Sequence, residues 1–394
     1  MERIGIYGGT YNPPHQGHIR AAKEALRALK LSKLLMIPDR IAPHKAMPGN
    51  SPTPEQRLQM LRLAIGDCPD VEVSDLELRR EGPSFTWQTV EQLRQEYPEA
   101  ELVLIMGTDM FLSFLTWKKA QWLLEQVTLG VLCRGEKGER PALEAQKREL
   151  EQLGGRIELV DNEVLKISST DLRRLLVFGC AAPLLPEGVE DYIRGNGLYE
   201  TAADYRNLPM EKLEKVVVGL LNPNRVAHVL GCRDAAVELA KRWGADETEA
   251  ARAGLLHDIT KALDGQLQLT LCREYGTILD EFSRQYPKTL HAFTGALVAE
   301  RVFGETQTVV SAIRHHTTGK ADMSLLEKII YVADYIEPCR SFPGVEELRR
   351  LAFSDLDGAL QLGLEMTLEH LKDLGDRVSP ASREALAFIR SQRV

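Results

Sequence analysis

Residues 4–18 constrain the fold of this chain more than any other stretch. Residues 4–7 are apolar and predict a buried strand, which continues into Gly8 and Gly9 and then into a helical pattern from residue 19. Glycines let backbone amides approach an anion, and a helix N-terminus adds unpaired N–H groups with partial positive charge. A strand, a glycine turn and a helix in this order therefore predict a phosphate-binding loop.

Two histidines lie inside this loop. His15 and His18 are three residues apart where the first helical turn begins, so both imidazoles can point at one phosphate. The structural alternative is a pair of satisfied polar residues at a helix start. The string GGTYNPPHQGH, which runs from Gly8 through Thr10 to His18, resembles the GxFxPxHxGH signature of nucleotidyltransferases. These enzymes move a nucleotidyl group from a nucleoside triphosphate to a phosphorylated acceptor.

Length and charge narrow the classes of protein. A chain of 394 residues exceeds what one hydrophobic core usually serves, which predicts two domains. The net charge of −8 argues against a general nucleic-acid or anionic-membrane binder and favours small phosphorylated ligands. Six cysteines without a CxxC pair indicate free thiols in a reducing compartment, and the apolar runs are too short to span a bilayer. We therefore expect a cytoplasmic protein.

The first half alternates short apolar runs with amphipathic stretches. This pattern predicts a parallel, doubly wound α/β sheet, with ligands at the carboxyl ends of its strands. Gly107 and Asp109 follow such a strand, and Arg134 follows another. Asp109 can accept hydrogen bonds from a ribose, although an N-cap of the next helix is the alternative. The strands after the first are predicted at residues 34–38, 71–74, 102–106, 128–133 and 157–160.

A second anion site is predicted at residues 167–174, which read ISSTDLRR. Hydroxyls and exposed amides at a helix start can face a phosphate, and the guanidinium of Arg173 can close over it. A capping box would explain Ser168 and Ser169 but not the arginine. Lys45, in the loop after the second strand, is a further phosphate contact or else a solvated loop lysine.

Five strings together resemble bacterial nicotinate-mononucleotide adenylyltransferase over residues 1–200. They are GGTYNPPHQGH, PHK at 43–45, SFTWQT at 84–89, MGTDMFLSFLTW at 106–117 and ISSTDLRR. The resemblance implies a Rossmann-like fold that joins ATP to nicotinate mononucleotide with Mg²⁺, while nicotinamide mononucleotide and phosphopantetheine remain alternative acceptors. It places catalytic roles on His15, His18, Lys45 and Arg173, and binding roles on Gly8, Gly9, Thr10, Gly107, Asp109, Arg134, Ser168, Ser169, and on Thr86 and Trp117 at the nicotinate ring.

The second half has a different hydrophobic pattern from the first. Residues 198–209 lose hydrophobic periodicity and predict a linker, and the stretches beyond them have helical spacing with few strand signals. We therefore predict a transferase domain at residues 1–200, a linker at 201–210 and an all-α domain at 211–394. Among its helices, one is expected at residues 247–261.

Five histidines and two aspartates of this half lie in or beside apolar stretches. A single histidine there would be an ordinary core residue, but a buried aspartate is costly unless it is paired or binds a metal. Imidazoles with carboxylates and no accompanying cysteine suit iron or manganese better than a thiolate zinc site. The seven residues are His228, His257, Asp258, His291, His315, His316 and Asp334.

Their order resembles the HD-domain phosphohydrolases. RVAHVLG at 225–231, HDITK at 257–261 and IRHHTTGK at 313–320 resemble the YqeK-type family specifically. That family hydrolyses diadenosine tetraphosphate symmetrically to two ADP with a binuclear, iron-type centre. Alternatives are a nucleotide-sensing module without turnover and a protein-interaction domain with a structural metal.

The resemblance also implies roles for individual residues. Asp258 would bridge the two metals, and His315 would be a neighbour and not a ligand. Lys261, one helical turn beyond Asp258, would neutralise phosphate charge, unless it is a surface lysine. The first metal would be held by His228, His257, Asp258 and Asp334, and the second by His291 and His316.

Overall fold

The computed structural model describes residues 2–43, 47, 49–133, 135, 138–161, 165 and 167–393. Lys45 and Arg134 lie outside the described residues, so their roles stay predictions. The chain divides into two compact units, Met1–Ala202 and Ala203–Val394. None of the described helices is long and apolar enough to cross a membrane.

The first unit is built on a six-stranded sheet in the order β3-β2-β1-β4-β5-β6. Every neighbouring pair is parallel, which confirms the predicted doubly wound α/β fold. Strand order reverses between β1 and β4, where ligands of such sheets collect. The strands are β1 Arg3–Gly9, β2 Lys33–Pro38, β3 Val71–Val73, β4 Glu101–Gly107, β5 Thr128–Cys133 and β6 Arg156–Asp161.

Helices cover the sheet of the first unit, and their starts follow local rules. Thr53 caps α2 through its side chain, and Gln56 bonds back to the Thr53 amide, which forms a capping box. The helices are α1 Gln16–Ala28, α2 Pro54–Ile65, α3 Thr86–Glu96, α4 Thr108–Leu112, α5 Ala120–Gln126, α6 Glu139–Gln152, α7 Ser169–Val177 and α8 Val189–Gly195, with 3₁₀ turns at Phe114–Thr116, Ala182–Leu184 and Leu198–Glu200.

Throughout its described residues, the second unit is helical, which confirms the all-α prediction. Its helices are α9 Met210–Leu220, α10 Val226–Trp243, α11 Glu247–Leu256, α12 Gly265–Glu274, α13 Glu281–Gln285, α14 Leu290–Arg301, α15 Gln307–His315, α16 Leu325–Ile336, α17 Val345–Ser354, α18 Leu356–Asp373 and α19 Pro380–Gln392, with 3₁₀ turns at Pro223–Arg225 and Pro287–Thr289.

The predicted helix at 247–261 is wrong at its C-terminal end, because α11 stops at Leu256. The His257 side chain bonds through Nδ1 to the Gly254 carbonyl at 2.7 Å, and an α-helix would need that carbonyl for the amide of residue 258. The Lys261 amide bonds to the Asp258 carbonyl at 3.0 Å, in a tighter turn. Lys261 therefore does not lie one α-helical turn beyond Asp258. Both residues belong to the turn that follows α11.

The segment between the two units is packed at both ends. Tyr199 is 5% exposed and bonds within the first unit. Tyr205 is buried in the second unit, where its ring lies 6.1 Å from that of Phe303. Residues 198–209 are all described, and their only helical element is one 3₁₀ turn. The segment is held by the two buried tyrosines and not by a regular helix, in agreement with its lack of hydrophobic periodicity.

Candidate functional sites

The loop after β1 lies beside the end of β4. Because these strands are neighbours, the glycines predicted to bind phosphate and the Gly107 turn meet at the point where strand order reverses. A Cβ built on Gly8 or on Gly107 would meet nothing within 4 Å, which leaves room above both turns. Gly17 has no such room, because a Cβ there would lie 2.9 Å from Nδ1 of His15.

His15 and His18 stack at the start of α1. Their ring centroids are 3.7 Å apart, and His15 is the N-cap residue. Nδ1 of His18 accepts the backbone N–H of His15 at 3.2 Å. Burial lowers the pKa of His15 to about 4, and burial together with His15 holds the pKa of His18 well below its ordinary value. A neutral His18 whose Nδ1 accepts must carry its proton on Nε2, which makes Nε2 a hydrogen-bond donor.

The start of α7 is fastened to the same loop. Ser169 Oγ donates to the Pro13 carbonyl at 3.1 Å, and Arg173 Nη1 donates to the Asn12 carbonyl at 2.8 Å. Ser168 is the N-cap of α7, since its Oγ accepts the Asp171 amide at 3.1 Å. The structure therefore brings the two predicted anion-binding segments together, with Ser168 serving the capping role that the sequence analysis left open.

Asn12 joins three segments of the first unit, a role that the sequence analysis missed. Besides its carbonyl bond to Arg173, its Oδ1 accepts the Tyr199 hydroxyl at 2.7 Å and its Nδ2 donates to Ser51 Oγ at 3.2 Å. Asn12 and Tyr199 are both buried. Their separation of 187 residues explains why no local pattern shows the contact.

Arg57 is a second residue that the sequence analysis missed, and its hydrogen bonds hold the loop after β1. Its side chain is 2% exposed, and its guanidinium donates to the Thr10 carbonyl at 2.7 Å and the Asp39 carbonyl at 2.7 Å. Thr10 Oγ1 donates to Asp39 Oδ2 at 2.8 Å, so the hydroxyl predicted to bind substrate is held by the protein. A lone arginine on the apolar face of α2, beside Leu58 and Leu61, was the available signal.

The predicted acceptor-binding segments are neighbours. Lys118 Nζ lies 4.4 Å from the Phe85 ring centroid, and Lys119 Nζ lies 3.3 Å from that of Trp87. These contacts join the residues flanking Thr86, the first residue of α3, to those following Trp117. Asp109 is exposed in the first turn of α4, whose N-cap position is held by Gly107.

In the second unit, imidazoles converge on the carboxylate of Asp258 from two sides. Oδ2 lies 3.5 Å from His228 Nε2 and 3.6 Å from His257 Nε2. Oδ1 lies 3.5 Å from His291 Nε2 and 3.8 Å from His316 Nε2. Each oxygen thus faces its own pair of rings, as a bridging carboxylate would.

Asp334 completes the Oδ2 side of the cluster. Its Oδ1 is 3.2 Å from His228 Nε2 and 4.0 Å from His257 Nε2. Burial alone would raise the pKa of Asp334, but its contacts with His228 and with the positively charged Arg340 hold it well below its usual value. The carboxylate is therefore ionised at neutral pH.

The outer nitrogen of every converging ring has a partner. Nδ1 of His257, His291 and His316 lies 2.7, 3.0 and 2.7 Å from the carbonyls of residues 254, 288 and 313. Nδ1 of His228 lies 3.0 Å from the buried carboxylate of Glu337, a partner that the sequence analysis missed. Carbonyls and carboxylates accept hydrogen bonds, so Nδ1 carries the proton and Nε2 presents a lone pair to the centre.

Burial also keeps three of these rings, those of His257, His291 and His316, unprotonated. It lowers the pKa of His257 to about 3 and that of His316 to about 4, and it holds the pKa of His291 well below 6.5. Lys261 lies 3.1 Å from His291 Nε2, and burial, followed by the charge of Arg225, lowers its pKa to about 8. Lys261 is thus partly buried at the cluster and is not a surface lysine.

His315 contacts other residues than Asp258 and Asp334. Its Nδ1 lies 2.9 Å from the Ser311 carbonyl and 3.2 Å from the buried carboxylate of Glu327. Lys320 pairs with the same carboxylate at 2.9 Å. This ion pair is separate from the Asp258 cluster.

The cluster fits a divalent metal. Two groups of three side chains could each hold an ion, because the ligand atoms within each group lie within 4.8 Å of one another. Neither group includes a cysteine. Imidazole nitrogens and carboxylate oxygens gathered in a buried place suit iron, manganese or a similar ion. The groups are His228, His257 and Asp334, and His257, Asp258 and His316.

Comparisons with known proteins match the two halves of the chain to different families. Residues 6–175 match a cytidylyltransferase-like family, and residues 225–339 match the HD domain. A probable nicotinate-nucleotide adenylyltransferase of Aeromonas salmonicida is 40% identical over 211 residues, covering 50% of this chain and 97% of the relative.

Two further relatives reach the second half. A probable nicotinate-nucleotide adenylyltransferase/Ap4A hydrolase of Mycoplasma pneumoniae is 29% identical over 379 residues, covering 94% of this chain and 99% of the relative. A crystal structure from Clostridium acetobutylicum, of a "predicted HD superfamily hydrolase involved in NAD metabolism", is 38% identical and covers 47% of this chain and 98% of that one, with a TM-score of 0.46. Through its first half the chain belongs to the nicotinate-nucleotide adenylyltransferase family, and its second half carries an HD domain.

Proposed function

We propose that the chain is a bifunctional enzyme. Its first unit transfers the adenylyl group of ATP to nicotinate mononucleotide, giving deamido-NAD and pyrophosphate. Its second unit hydrolyses diadenosine tetraphosphate symmetrically to two ADP at a binuclear metal centre. The names of relatives that match the first half and nearly the whole chain support this pairing.

The joining of two phosphate-binding segments carries the proposal for the first unit. The Nε2–H of His18 and the free amides at the start of α1 face the phosphates of ATP, while Arg173 and the start of α7 hold the polyphosphate end. Thr86 and Trp117 receive the nicotinate ring, and Asp109 receives the ribose. The acceptor phosphate attacks the α-phosphorus in line and pyrophosphate leaves, so positioning and charge neutralisation account for the catalysis. Mg²⁺ bound with ATP would neutralise the leaving group.

The two-sided placement of imidazoles around Asp258 carries the proposal for the second unit. His228, His257, Asp258 and Asp334 would hold one metal, and His291 and His316 would hold the other, with the carboxylate of Asp258 shared between the two. Iron is the metal we propose. Two such ions would lower the pKa of a water molecule and clamp the attacked phosphoryl group. Lys261, beside His291, neutralises phosphate charge.

The transferase is tested by supplying ATP, Mg²⁺ and each acceptor in turn. We expect rapid pyrophosphate release with nicotinate mononucleotide and formation of its dinucleotide, identified by mass spectrometry. Faster turnover of nicotinamide mononucleotide or phosphopantetheine in direct competition would reassign the acceptor and leave the reaction class intact.

The hydrolase is tested on the full chain after chelation and dialysis. Adding Fe²⁺ or Mn²⁺ should restore cleavage of diadenosine tetraphosphate to ADP alone, while the transferase stays at its original rate with Mg²⁺. ATP and AMP as products would contradict symmetrical cleavage. Nucleotide binding without turnover would identify a sensing module, and metal without nucleotide binding would identify a structural staple.

A further inference from the structure

Residues 10–14, between β1 and α1, do not take their shape from their own backbone. They make no backbone-to-backbone hydrogen bond with the described residues, and Pro13 and Pro14 have no N–H to donate. Side chains of α2 and α7 bond the carbonyls of this stretch instead and therefore set the path of the chain into the two histidines. Arg57 donates to the Thr10 carbonyl at 2.7 Å, Arg173 to that of Asn12 at 2.8 Å and Ser169 to that of Pro13 at 3.1 Å.

The side-chain amide of Asn12 is bonded at both ends. Its Oδ1 accepts the Tyr199 hydroxyl at 2.7 Å, and its Nδ2 donates to Ser51 Oγ at 3.2 Å. Asn12 is 3% exposed, so loss of the hydroxyl would leave a buried oxygen without a partner. The two bonds fix the side chain of Asn12, and with it the direction of the carbonyl to which Arg173 donates.

Tyr199 lies 187 residues further along the chain than Asn12. Its backbone is left-handed, with φ 55° and ψ 32°, a conformation that costs free energy for a residue with a Cβ and is uncommon for a bulky one. Tyr11, next to Asn12, is left-handed as well, with φ 48°. Such conformations persist where surrounding contacts hold them, and they cluster at functional sites. The bond between Tyr199 and Asn12 joins these two strained segments.

We propose that Asn12 and Tyr199 are positioning residues of the transferase site. The Tyr199 hydroxyl holds the Asn12 side chain, the Asn12 carbonyl holds Arg173, and the same stretch of chain leads into His15 and His18. The two residues act on the phosphates of ATP through these three side chains. Their effect on adenylyl transfer presupposes the transferase function proposed above. Positioning matters for such a reaction, because a displacement of about 1 Å can cost on the order of 10²-fold in rate.

The test uses the full chain and removes these bonds stepwise. Tyr199→Phe keeps the buried ring and removes only the hydroxyl, whereas Asn12→Ala removes both side-chain bonds, and a third variant combines the two substitutions. Initial rates of pyrophosphate release give kcat and the KM of each substrate, with Mg²⁺-ATP varied at saturating nicotinate mononucleotide and the reverse. Tyr192→Phe is the matched control, because Tyr192 is a half-buried tyrosine of α8 whose hydroxyl makes no hydrogen bond with the described residues.

Tyr199→Phe should raise the KM for ATP about 10-fold, the equivalent of one buried hydrogen bond, and lower kcat as well. The KM for nicotinate mononucleotide should not change, because none of the described Asn12 bonds reaches the segments of Thr86 and Trp117. Asn12→Ala should lower kcat/KM for ATP about 10- to 100-fold. The double variant should be no worse than Asn12→Ala, since the shared bond is already gone. The control should match the parent.

A purely structural role would lower the melting temperature of Tyr199→Phe and leave both KM values as in the parent, because a smaller folded fraction changes only the apparent kcat. That result would overturn the proposal, and so would additive losses in the double variant. Calorimetric titration with Mg²⁺-ATP alone separates this outcome from failure of the proposed function. If the parent forms no dinucleotide but Tyr199→Phe weakens Mg²⁺-ATP binding about 10-fold, the transferase function fails and the positioning role stands.

Discussion

The two units use buried, neutral histidines in opposite ways, and the partner of Nδ1 makes the difference. In the first unit, Nδ1 of His18 accepts a backbone N–H, so Nε2 carries the proton and donates. In the second unit, Nδ1 of His257 and of His316 donates to a backbone carbonyl, so Nε2 presents a lone pair. The first arrangement suits a phosphate oxygen and the second suits a metal ion.

This contrast shows that residue type alone does not fix the chemistry of a histidine cluster. Burial lowers the pKa of His15 and His18 in the first unit and of His257, His291 and His316 in the second, so these rings are uncharged at neutral pH. The local backbone then decides between donor and acceptor. At the start of α1 the backbone amide of His15 donates to the ring of His18, whereas at the end of α11 the carbonyl of Gly254 accepts from the ring of His257.

The largest expected effect comes from removing the carboxylate that both pairs of metal-binding rings share. Asp258→Ala should abolish binding of both metals and lower hydrolysis on the order of 10³-fold or more, because each metal loses a ligand and the bridge is gone. The transferase rate should not change. Metal analysis and the two assays on one preparation measure this, with Asp234→Ala as control, since Asp234 is an exposed carboxylate paired with Arg233. Two metals per chain in Asp258→Ala would contradict the bridging role.

The next largest effect tests the donor role of His18. His18→Ala should lower transferase turnover on the order of 10²-fold, as loss of one transition-state donor does, and leave hydrolysis unchanged. His18→Gln should retain more activity, because its amide still donates. His370→Ala, at an exposed position in the second unit, serves as control. Equal activity of the Gln and Ala variants would show that the Nε2–H is not what the reaction uses.

Much of the fold followed from local patterns. Continuous apolar runs predicted the central strands, because a parallel strand that is buried on both faces must be apolar on both. Alternation of apolar and polar residues predicted the edge strand β3. The error at residues 257–261 arose because apolar spacing continues past Leu256, while one side-chain hydrogen bond, from His257 to Gly254, ends the helix. Periodicity records burial and contains no information about such a bond.

The candidate sites were predictable where a residue type is costly to bury. The histidines and Asp258 stood out for that reason, and the structure brings them together. Glu337 did not stand out, because it follows a helix at a position that a surface glutamate could hold. Only its contact with His228, 109 residues away in the sequence, reveals it. Tyr199 and Arg57 were missed in the same way, since their partners lie far away in the sequence.

Glu337 gives the third prediction, which sharpens the claim that the Nδ1 partner sets the chemistry. Glu337→Ala removes the acceptor of His228 Nδ1, so metal affinity should fall about 10- to 100-fold without loss of the fold. Mn²⁺ titration measures the effect. Glu365→Ala, which breaks the surface pair with Arg390, should leave the affinity unchanged. Full Mn²⁺ affinity in Glu337→Ala would mean that ring orientation is set by packing alone.

The smallest effect expected per residue concerns stability. The stability of both units should depend on pH, and metal should restore the stability lost at low pH in the second unit only. Burial lowers the pKa of His15 and of His316 to about 4 and that of His257 to about 3, from 6.5 when unfolded. Below pH 6.5 the unfolded chain takes up protons that the folded chain refuses. Stability is therefore complete above about pH 6.5 and declines as the pH falls toward 4, by up to about 1.4 kcal/mol per pH unit for each ring.

Hydrogen exchange at pH 7 and pH 5, followed peptide by peptide, resolves this decline in α1 and in α11. Both should lose protection at pH 5 in chelator, in line with the lowered imidazole pKa values of both units. Mn²⁺ at 100 times its dissociation constant should restore about 2.7 kcal/mol to α11 and nothing to α1, because a metal stabilises only the state that binds it. Equal restoration in both helices would contradict the assignment of donor imidazoles to the first unit and acceptor imidazoles to the second.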